Sequence, residues 1–350
     1  MRNTFISILL SAVCLLFSAA AHTQEIDREL INRFLDEVTR ENKGLGSLLI
    51  TREGKPVYSR TFGNTGTIQD TLQKSGKYRI GSNTKLFTAV LIRRLIENGE
   101  LDPQQTLDHY FPDIPNSGKI NITHLLNHTS GLGDYVMKAD TMLWGMTPLT
   151  EQEILNEIKA QGVKFEPGAG IKYSNSGYFL LTRILEKIHG KKYPQILSEQ
   201  ILIPLKMEQT LSGVREDATI LPSCRLNPEN KWEKTDEFCF TNFTGLGDIA
   251  ATPGDLALFI HALFSGKLVP ERSLQKMLPQ EGQRYGQGIM QSPFRSHILY
   301  GHGGATLGTQ SIVLYDRENK LAVVACINGI SAPAEDIWAG IFNGIYPGTN

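Results

Sequence analysis

Apolar positions along the chain alternate between two periods. From Asp27 to Asn42, Leu30, Ile31, Phe34, Leu35 and Val38 recur at helical spacing and predict an amphipathic helix. Two short β-like runs follow, Gly46–Thr51 and Pro56–Phe62, joined by a Glu53-Gly54-Lys55 turn. A helix is expected from Ser82 to Gly99, with Leu86, Val90, Leu91 and Leu95 on one side. Thr150-Glu151-Gln152-Glu153 reads as a capping box that opens a helix stopping at Gly162. Gly177–His189 is again amphipathic and is closed by Gly190. Thr252-Pro253-Gly254-Asp255 signals another helix start, with Gly266 past its end. The tail changes character. Ile298–Tyr300, Ser311–Tyr315 and Leu321–Ile327 are β-rich, and a last helix, Ala334–Ile345, follows Pro333.

This order predicts a sheet assembled from both chain ends with a mainly helical lobe inserted between them. The expected sheet lobe takes in residues 25–75 and 250–350, and the helical lobe residues 76–249. A cleft between the lobes is the default ligand site. Composition narrows the classes without naming one. Of 350 residues 41% are hydrophobic and 20% charged, which excludes a disordered chain. Thirty-five basic against 36 acidic residues leave a net charge of -1, which argues against a nucleic-acid or anionic-membrane partner.

Residues 1–21 form a separate signal. Arg2 precedes the uncharged run Phe5–Phe17, and Ala19-Ala20-Ala21 then offers a small-residue cleavage site. The run is too short for a span of about 20 residues. The pattern therefore predicts a signal peptide, a mature chain over 22–350 with no stable membrane span, and a periplasmic or secreted location. Export makes a disulfide between Cys224 and Cys239 chemically feasible, whereas Cys326, inside the apolar run VVACI, reads as a buried thiol.

Several chemical signatures are absent: no G-x-S-x-G, no phosphate-binding Walker loop, no H-E-x-x-H. His124 and His128 stand four apart without the Glu a zinc helix requires, so no metal is expected there. Gly245–Ala250 matches G-x-G-x-x-A, but without a surrounding βαβ unit it reads as a tight loop before a helix, and no cofactor is expected. What stands out is Ser82-Asn83-Thr84-Lys85. On a helix, residues three apart share a face, which brings an amine beside a hydroxyl, and a desolvated Lys with a lowered pKa can activate serine. The same spacing recurs at Ser273–Lys276, in a polar segment bounded by Pro270 and Pro279. Context separates the two copies. Gly81 precedes Ser82 and the apolar run LFTAVLIRRL follows Lys85, while Tyr173-Ser174-Asn175 and His302-Gly303-Gly304 come later in order.

Together these segments resemble the serine β-lactamase and D-Ala-D-Ala carboxypeptidase superfamily, and in particular its class C branch, whose middle motif is Y-x-N. The resemblance is carried by RIGSNTKLFTA around Ser82, ITHLLNHTSGL at Ile122–Leu132, FEPGAGIKYSNSGY at Phe165–Tyr178 and GHGG at Gly301–Gly304. It implies an α+β fold with an antiparallel sheet flanked by helices. It further implies Ser82 as nucleophile, Lys85 as its base partner and Tyr173 as proton relay, with Asn175 binding Lys85 or the substrate amide. The backbone N–H groups of Ser82 and Ala305 are the implied oxyanion site, and Gly303 and Gly304 keep the strand edge open to substrate. The chain departs from class C β-lactamases at His302, where they carry K-T-G.

The expected activity is that of an exported serine hydrolase on small peptide, lactam or ester substrates, among them peptidoglycan stem peptides. A carboxypeptidase-like or D-amino-acid peptidase-like enzyme comes first. An esterase or class C-type β-lactamase on the same scaffold is one alternative, and a penicillin-binding sensor that stays acylated is another. His128 is expected to be structural. His302 titrates near pH 6.5 when unperturbed. If it must be protonated to hold a carboxylate, kcat/KM for such substrates should fall above about pH 7.

Overall fold

The computed structural model describes residues 25–64, 76–213 and 216–348. The expected leader over residues 1–21 lies outside them. In chain order the strands are β1 (Gly44–Arg52), β2 (Lys55–Phe62), β3 (Tyr78–Arg79), β4 (Thr210–Leu211), β5 (Cys224–Leu226), β6 (Trp232–Lys234) and β7 (Ala250–Ala251). They continue with β8 (Met290–Phe294), β9 (His297–Ala305), β10 (Gln310–Asp316) and β11 (Leu321–Ile330).

Strand β11 organises the rest. Leu321, Val323, Ala325 and Ile327 enter one hydrophobic cluster, and Ala322, Val324 and Cys326 enter another on the opposite face. Alternate side chains of a strand point to opposite faces, so this continuous apolar run is what a strand covered on both sides requires. It pairs antiparallel with β1 on one side and β10 on the other, within the order β2-β1-β11-β10-β9-β8. Along this path the sheet is antiparallel and built from both ends of the chain, and β5 alone adds to β11 in parallel.

Two helices cover one face. The Arg28–Arg40 helix is capped by Asp27, which accepts from the Leu30 N–H, and buries Ile31, Leu35 and Val38. It packs against the Ala334–Ile345 helix at two glycines. A Cβ on Gly344 would lie 2.4 Å from Ile31, and one on Gly340 would lie 2.1 Å from the Phe34 ring. The opposite face carries the Pro253–Phe264 helix, whose Thr252 cap accepts from the Asp255 N–H. Beyond it lie the helices of the middle segment, among them Thr84–Glu97, Glu151–Gln161 and Asn175–His189.

The middle segment is less purely helical than its periodicity predicts. Strands β3 to β6 lie within it, each two or three residues long and too short to leave an alternating pattern. β3 and β4 both pair with β7. The β5–β6 hairpin attaches to the main sheet where Cys224 faces Gly329, and a Cβ on Gly329 would meet the Trp232 ring at 2.9 Å. Cys224 and Cys239 are both free and buried rather than bridged, and burial pushes the Cys224 thiol up to about 11. Among the described residues no helix is long and apolar enough to cross a membrane.

Because β11 is buried on both faces, Val323→Ala and Val324→Ala should each lower stability, by about 2 kcal/mol apiece. Urea denaturation midpoints measure this. A cost at only one of these consecutive positions would mean that one face is solvated.

Candidate active site

Ser82 lies in a short turn, Gly81–Asn83, that runs directly into the Thr84–Glu97 helix. This helix is not amphipathic in place: Leu86, Phe87, Val90, Leu91 and Ile92 are all buried, as in a core helix. Its first turn therefore carries Lys85 inward, where the side chain has no exposed surface. Gly81 has φ +51, and a Cβ there would come within 2.8 Å of the backbone N and O of Ala305. A Cβ on Gly304 would fall 1.9 Å from the Ile80 carbonyl oxygen. These glycines let the end of β9 abut the Ser82 turn backbone to backbone. β8 pairs with β9 only as far as Gly301, so beyond that point the turn takes the neighbouring place. Gly304 is thus required by this packing and also lines the cleft, while a Cβ on Gly303 would make only an ordinary contact, 3.8 Å from the Ser311 carbonyl oxygen.

Hydrogen bonds hold the turn in place. The Asn83 side-chain amide donates to Ser311 Oγ at 2.8 Å, and Ser311 Oγ donates to the Ile80 carbonyl at 3.0 Å. Ile80 N–H donates to the Ile249 carbonyl at 3.0 Å. Tyr173 arrives on a separate stretch of the middle segment that is fixed by its neighbours. Ser174 Oγ donates to the Gly133 carbonyl at 2.9 Å, and the Ser174 N–H donates to His128 Nδ1 at 3.2 Å. The buried His128 ring lies 4.4 Å from the Tyr173 ring, centre to centre, and supports it.

The three functional groups meet at one oxygen. Lys85 Nζ lies 2.9 Å from Ser82 Oγ, and the Tyr173 phenol donates to the same atom at 2.8 Å. Lys85 Nζ also donates to the Leu246 carbonyl at 3.0 Å. Burial lowers the Lys85 amine to about 7, against the opposing pull of the Asp134 carboxylate. Burial moves the Tyr173 phenol the other way, well above its ordinary value. Near neutral pH a substantial fraction of the amine is therefore uncharged, beside a neutral phenol on the same hydroxyl.

Asn175 begins the Asn175–His189 helix and lines the cleft, but its amide donates to Asp134 at 2.9 Å, and Lys85 takes Leu246 in its place. His302, Gly303, Gly304 and Ala305 line the cleft opposite Tyr173. The His302 side chain differs most from expectation. It is buried, and desolvation together with the nearby Lys85 drives it down to about 3. Both causes favour the neutral imidazole over the cation that a carboxylate clamp would need.

The other candidates resolve plainly. Ser273 is buried and bonded to Arg93 and Glu97, while its Lys276 is exposed, so the second copy of the spacing is a salt-bridged knot. His124 closes a capping box with Asn121. No cluster of metal-ligating side chains occurs among the described residues. The G-x-G-x-x-A loop is tied into the site by its own backbone. Its Leu246 carbonyl holds Lys85, its Gly245 carbonyl accepts from Thr88, and the buried Asp248 anchors it by accepting from the Gly245 N–H at 2.8 Å.

Sequence reasoning missed Asp134, Asp248 and the wall of the cleft. That wall joins two distant segments through Asn242, which is 2% exposed. Its amide donates to the Gly145 and Thr147 carbonyls at 3.1 and 2.8 Å and accepts from the Leu149 N–H at 2.9 Å. Phe238, Phe240 and Phe243 then line the cleft, which has a volume of about 450 Å³. The buried Arg79 guanidinium stacks 4.0 Å above the Phe240 ring.

Comparison with known proteins identifies the family. Residues 32–341 match the family described as Beta-lactamase. The putative penicillin-binding protein PbpX of Bacillus subtilis (strain 168) is 28% identical over 276 residues, a match spanning 77% of this chain and 66% of that protein. The D-alanyl-D-alanine-carboxypeptidase/endopeptidase AmpH of Escherichia coli (strain K12) is 27% identical over 282 residues, spanning 75% of this chain and 70% of that one. Among solved structures, the D-amino acid amidase of Ochrobactrum anthropi SV3 in complex with L-phenylalanine amide superposes with TM-score 0.79 at 25% identity, covering 91% of this chain and 98% of that one. With the family match running along nearly the whole described chain, and a serine, an amine and a phenol meeting at one point, the protein belongs to the Beta-lactamase family.

Proposed function

We propose that the protein is an exported hydrolase that opens amide bonds next to a D-amino acid through an acyl-enzyme on Ser82. The observation that carries the reading is the convergence of Lys85 Nζ and Tyr173 Oη on Ser82 Oγ, at 2.9 and 2.8 Å. Lys85 is the base in this scheme, because its amine is the group that burial brings to about 7. Its lone pair takes the Ser82 proton as Oγ attacks the carbonyl carbon, while one of its N–H groups stays on the Leu246 carbonyl. The backbone N–H groups of Ser82 and Ala305 receive the negative oxygen. As the carbon–nitrogen bond breaks, the leaving nitrogen collects the proton that Lys85 took, relayed through the Tyr173 phenol. Water then enters along the reverse proton path and frees Ser82. Asn175, oriented by Asp134, is assigned to the substrate amide.

The neutral state of His302 favours an amide-type or aminopeptidase-type substrate over a carboxylate-ended peptide or a β-lactam. The relatives named above include both a carboxypeptidase and an amidase. A second reading, an esterase, is supported by the same neutral lining, since an ester asks for no counter-charge. Export rests on the pattern of Arg2, Phe5–Phe17 and Ala19–Ala21.

Ser82→Ala should abolish covalent labelling by p-nitrophenyl acetate or benzylpenicillin in intact-mass spectra and lower turnover by at least about a thousandfold. Retained turnover in that variant would remove Ser82 from the mechanism. A mass adduct that never decays in the parent protein would select the acylated sensor instead of a turnover enzyme. For an uncharged ester, kcat/KM should rise with pH through a single ionisation near 7 and then level off, since only the neutral amine accepts the proton. The Asp134 charge raises the Lys85 value, so Asp134→Asn should move that limb to lower pH. A profile flat from pH 5 to 8 would exclude Lys85 as the base.

A further inference from the structure

Tyr173 needs support that its own segment does not supply. Residues 170–174 run in irregular backbone, tied down on either side of Tyr173. The Lys172 N–H donates to the His128 carbonyl at 2.9 Å, and the Ser174 N–H to His128 Nδ1 at 3.2 Å. The phenol itself must stay on Ser82 Oγ. Two other rings bear on it. The His128 ring lies 4.4 Å and the Tyr285 ring 5.8 Å from the Tyr173 ring, centre to centre, while Tyr285 and His128 meet edge to face at 5.7 Å. Rings at such distances attract beyond the area they bury, and a closed triangle of them restricts tilt as well as position. Tyr285 arrives on a clamped turn. It pairs with Met290, the Gly286 N–H donates to the Ile289 carbonyl at 2.8 Å, and the Gln287 N–H to the Met277 carbonyl at 2.9 Å. Gly288 has φ +75, and a Cβ there would lie 2.5 Å from Ala89 Cβ and 3.0 Å from the Lys85 carbonyl oxygen. The turn thus rests on the helix that carries Lys85, close enough to require glycine.

Resting on the hydrolase reading above, we propose that Tyr285 is the positioning residue for Tyr173: its ring completes a triangle with Tyr173 and His128 that holds the phenol on Ser82 while a proton passes through it. The amine and the phenol come from separate segments, and each must stay within hydrogen-bond reach of one oxygen. Tyr285 ties them together, because its turn is seated on the Lys85 helix and its ring bears on Tyr173. These contacts are made by the ring, so the Tyr285 hydroxyl is not required. A loosened phenol harms only the steps in which it relays a proton, and a misplacement of about 1 Å costs on the order of a hundredfold.

Hydrolysis of p-nitrophenyl acetate separates those steps. Nitrophenolate leaves as an anion and takes no relayed proton, whereas water attacking the acetyl-enzyme must give one up along the Tyr173 path. Acylation is read from nitrophenolate release with enzyme in excess, and deacylation from decay of the acetyl-Ser82 mass. Tyr285→Leu should slow deacylation at least about tenfold and leave acylation within about twofold. Tyr285→Phe, which keeps the ring, should match the parent in both steps within about twofold. In a Tyr173→Phe background Tyr285→Leu should have no further effect, because residues that act through one another are not additive. Should circular dichroism show Tyr285→Leu unfolded, Tyr285→Met takes its place. Equal slowing of both steps, unchanged deacylation, a loss in Tyr285→Phe or additive effects would each overturn the assignment. Any of these in a parent that is labelled and turns over leaves the hydrolase reading standing. A parent with no label, or with a label that never decays, defeats the hydrolase reading itself.

Discussion

The structure depends on the burial of one amine. Lys85 has no exposed surface, and moving its ionisation from 10.5 to about 7 corresponds to on the order of 5 kcal/mol, at about 1.4 kcal/mol for each factor of ten. The sign follows from proton binding. Below pH 10.5 the unfolded chain holds a proton on this amine, and between that point and about 7 the folded protein has given it up, so this group opposes folding there and opposes it less as pH rises. The rest of the fold offsets that cost. The Thr84–Glu97 helix is buried along its first turns, Leu86, Phe87, Val90 and Leu91 among them, and this carries Lys85 inward with it. The Gly245–Asp248 loop presents the Leu246 carbonyl, and Asp248 is buried in order to hold that loop. Catalytic poise is thus charged against the stability of the core, as expected where function needs a perturbed group.

How much of this was legible depended on the distance between cause and effect along the chain. Elements whose causes are local were readable: the Thr150 capping box, the Gly190 helix stop and the two-faced strand Leu321–Ile327 all stand where their own residues place them. The segments holding Ser82, Tyr173 and His302 were also readable, because each pairs a reactive side chain with a distinctive backbone need. Gly81 before Ser82 and Gly304 after His302 are required by the close approach of β9 to the turn, and small residues at such places mark contact even when the partner is unknown.

Features fixed by partners far away in sequence left no mark. Asp134 is one acidic residue in a loop, and nothing in its neighbourhood announces the bond to Asn175, 41 positions on. Asn242 stitches residues 145–149 to its own segment across more than ninety positions. The strands of two or three residues inside the middle segment exist only because a neighbour pairs with them. Their register is a tertiary fact.

His302 shows why residue type alone is a poor guide to charge. In water an imidazole is half protonated near pH 6.5, and a motif position held elsewhere by a lysine invites the assumption that it is a weaker cation. Position within the fold reverses this. The ring is enclosed, so desolvation already disfavours the charged form. Lys85 adds repulsion from the same side, and the Gly303 carbonyl fixes the one ring proton on Nδ1. An exchange of Lys for His here does not soften a positive charge. It puts a buried ring, whose one proton is engaged by the strand's own Gly303 carbonyl, where a flexible ammonium would otherwise stand.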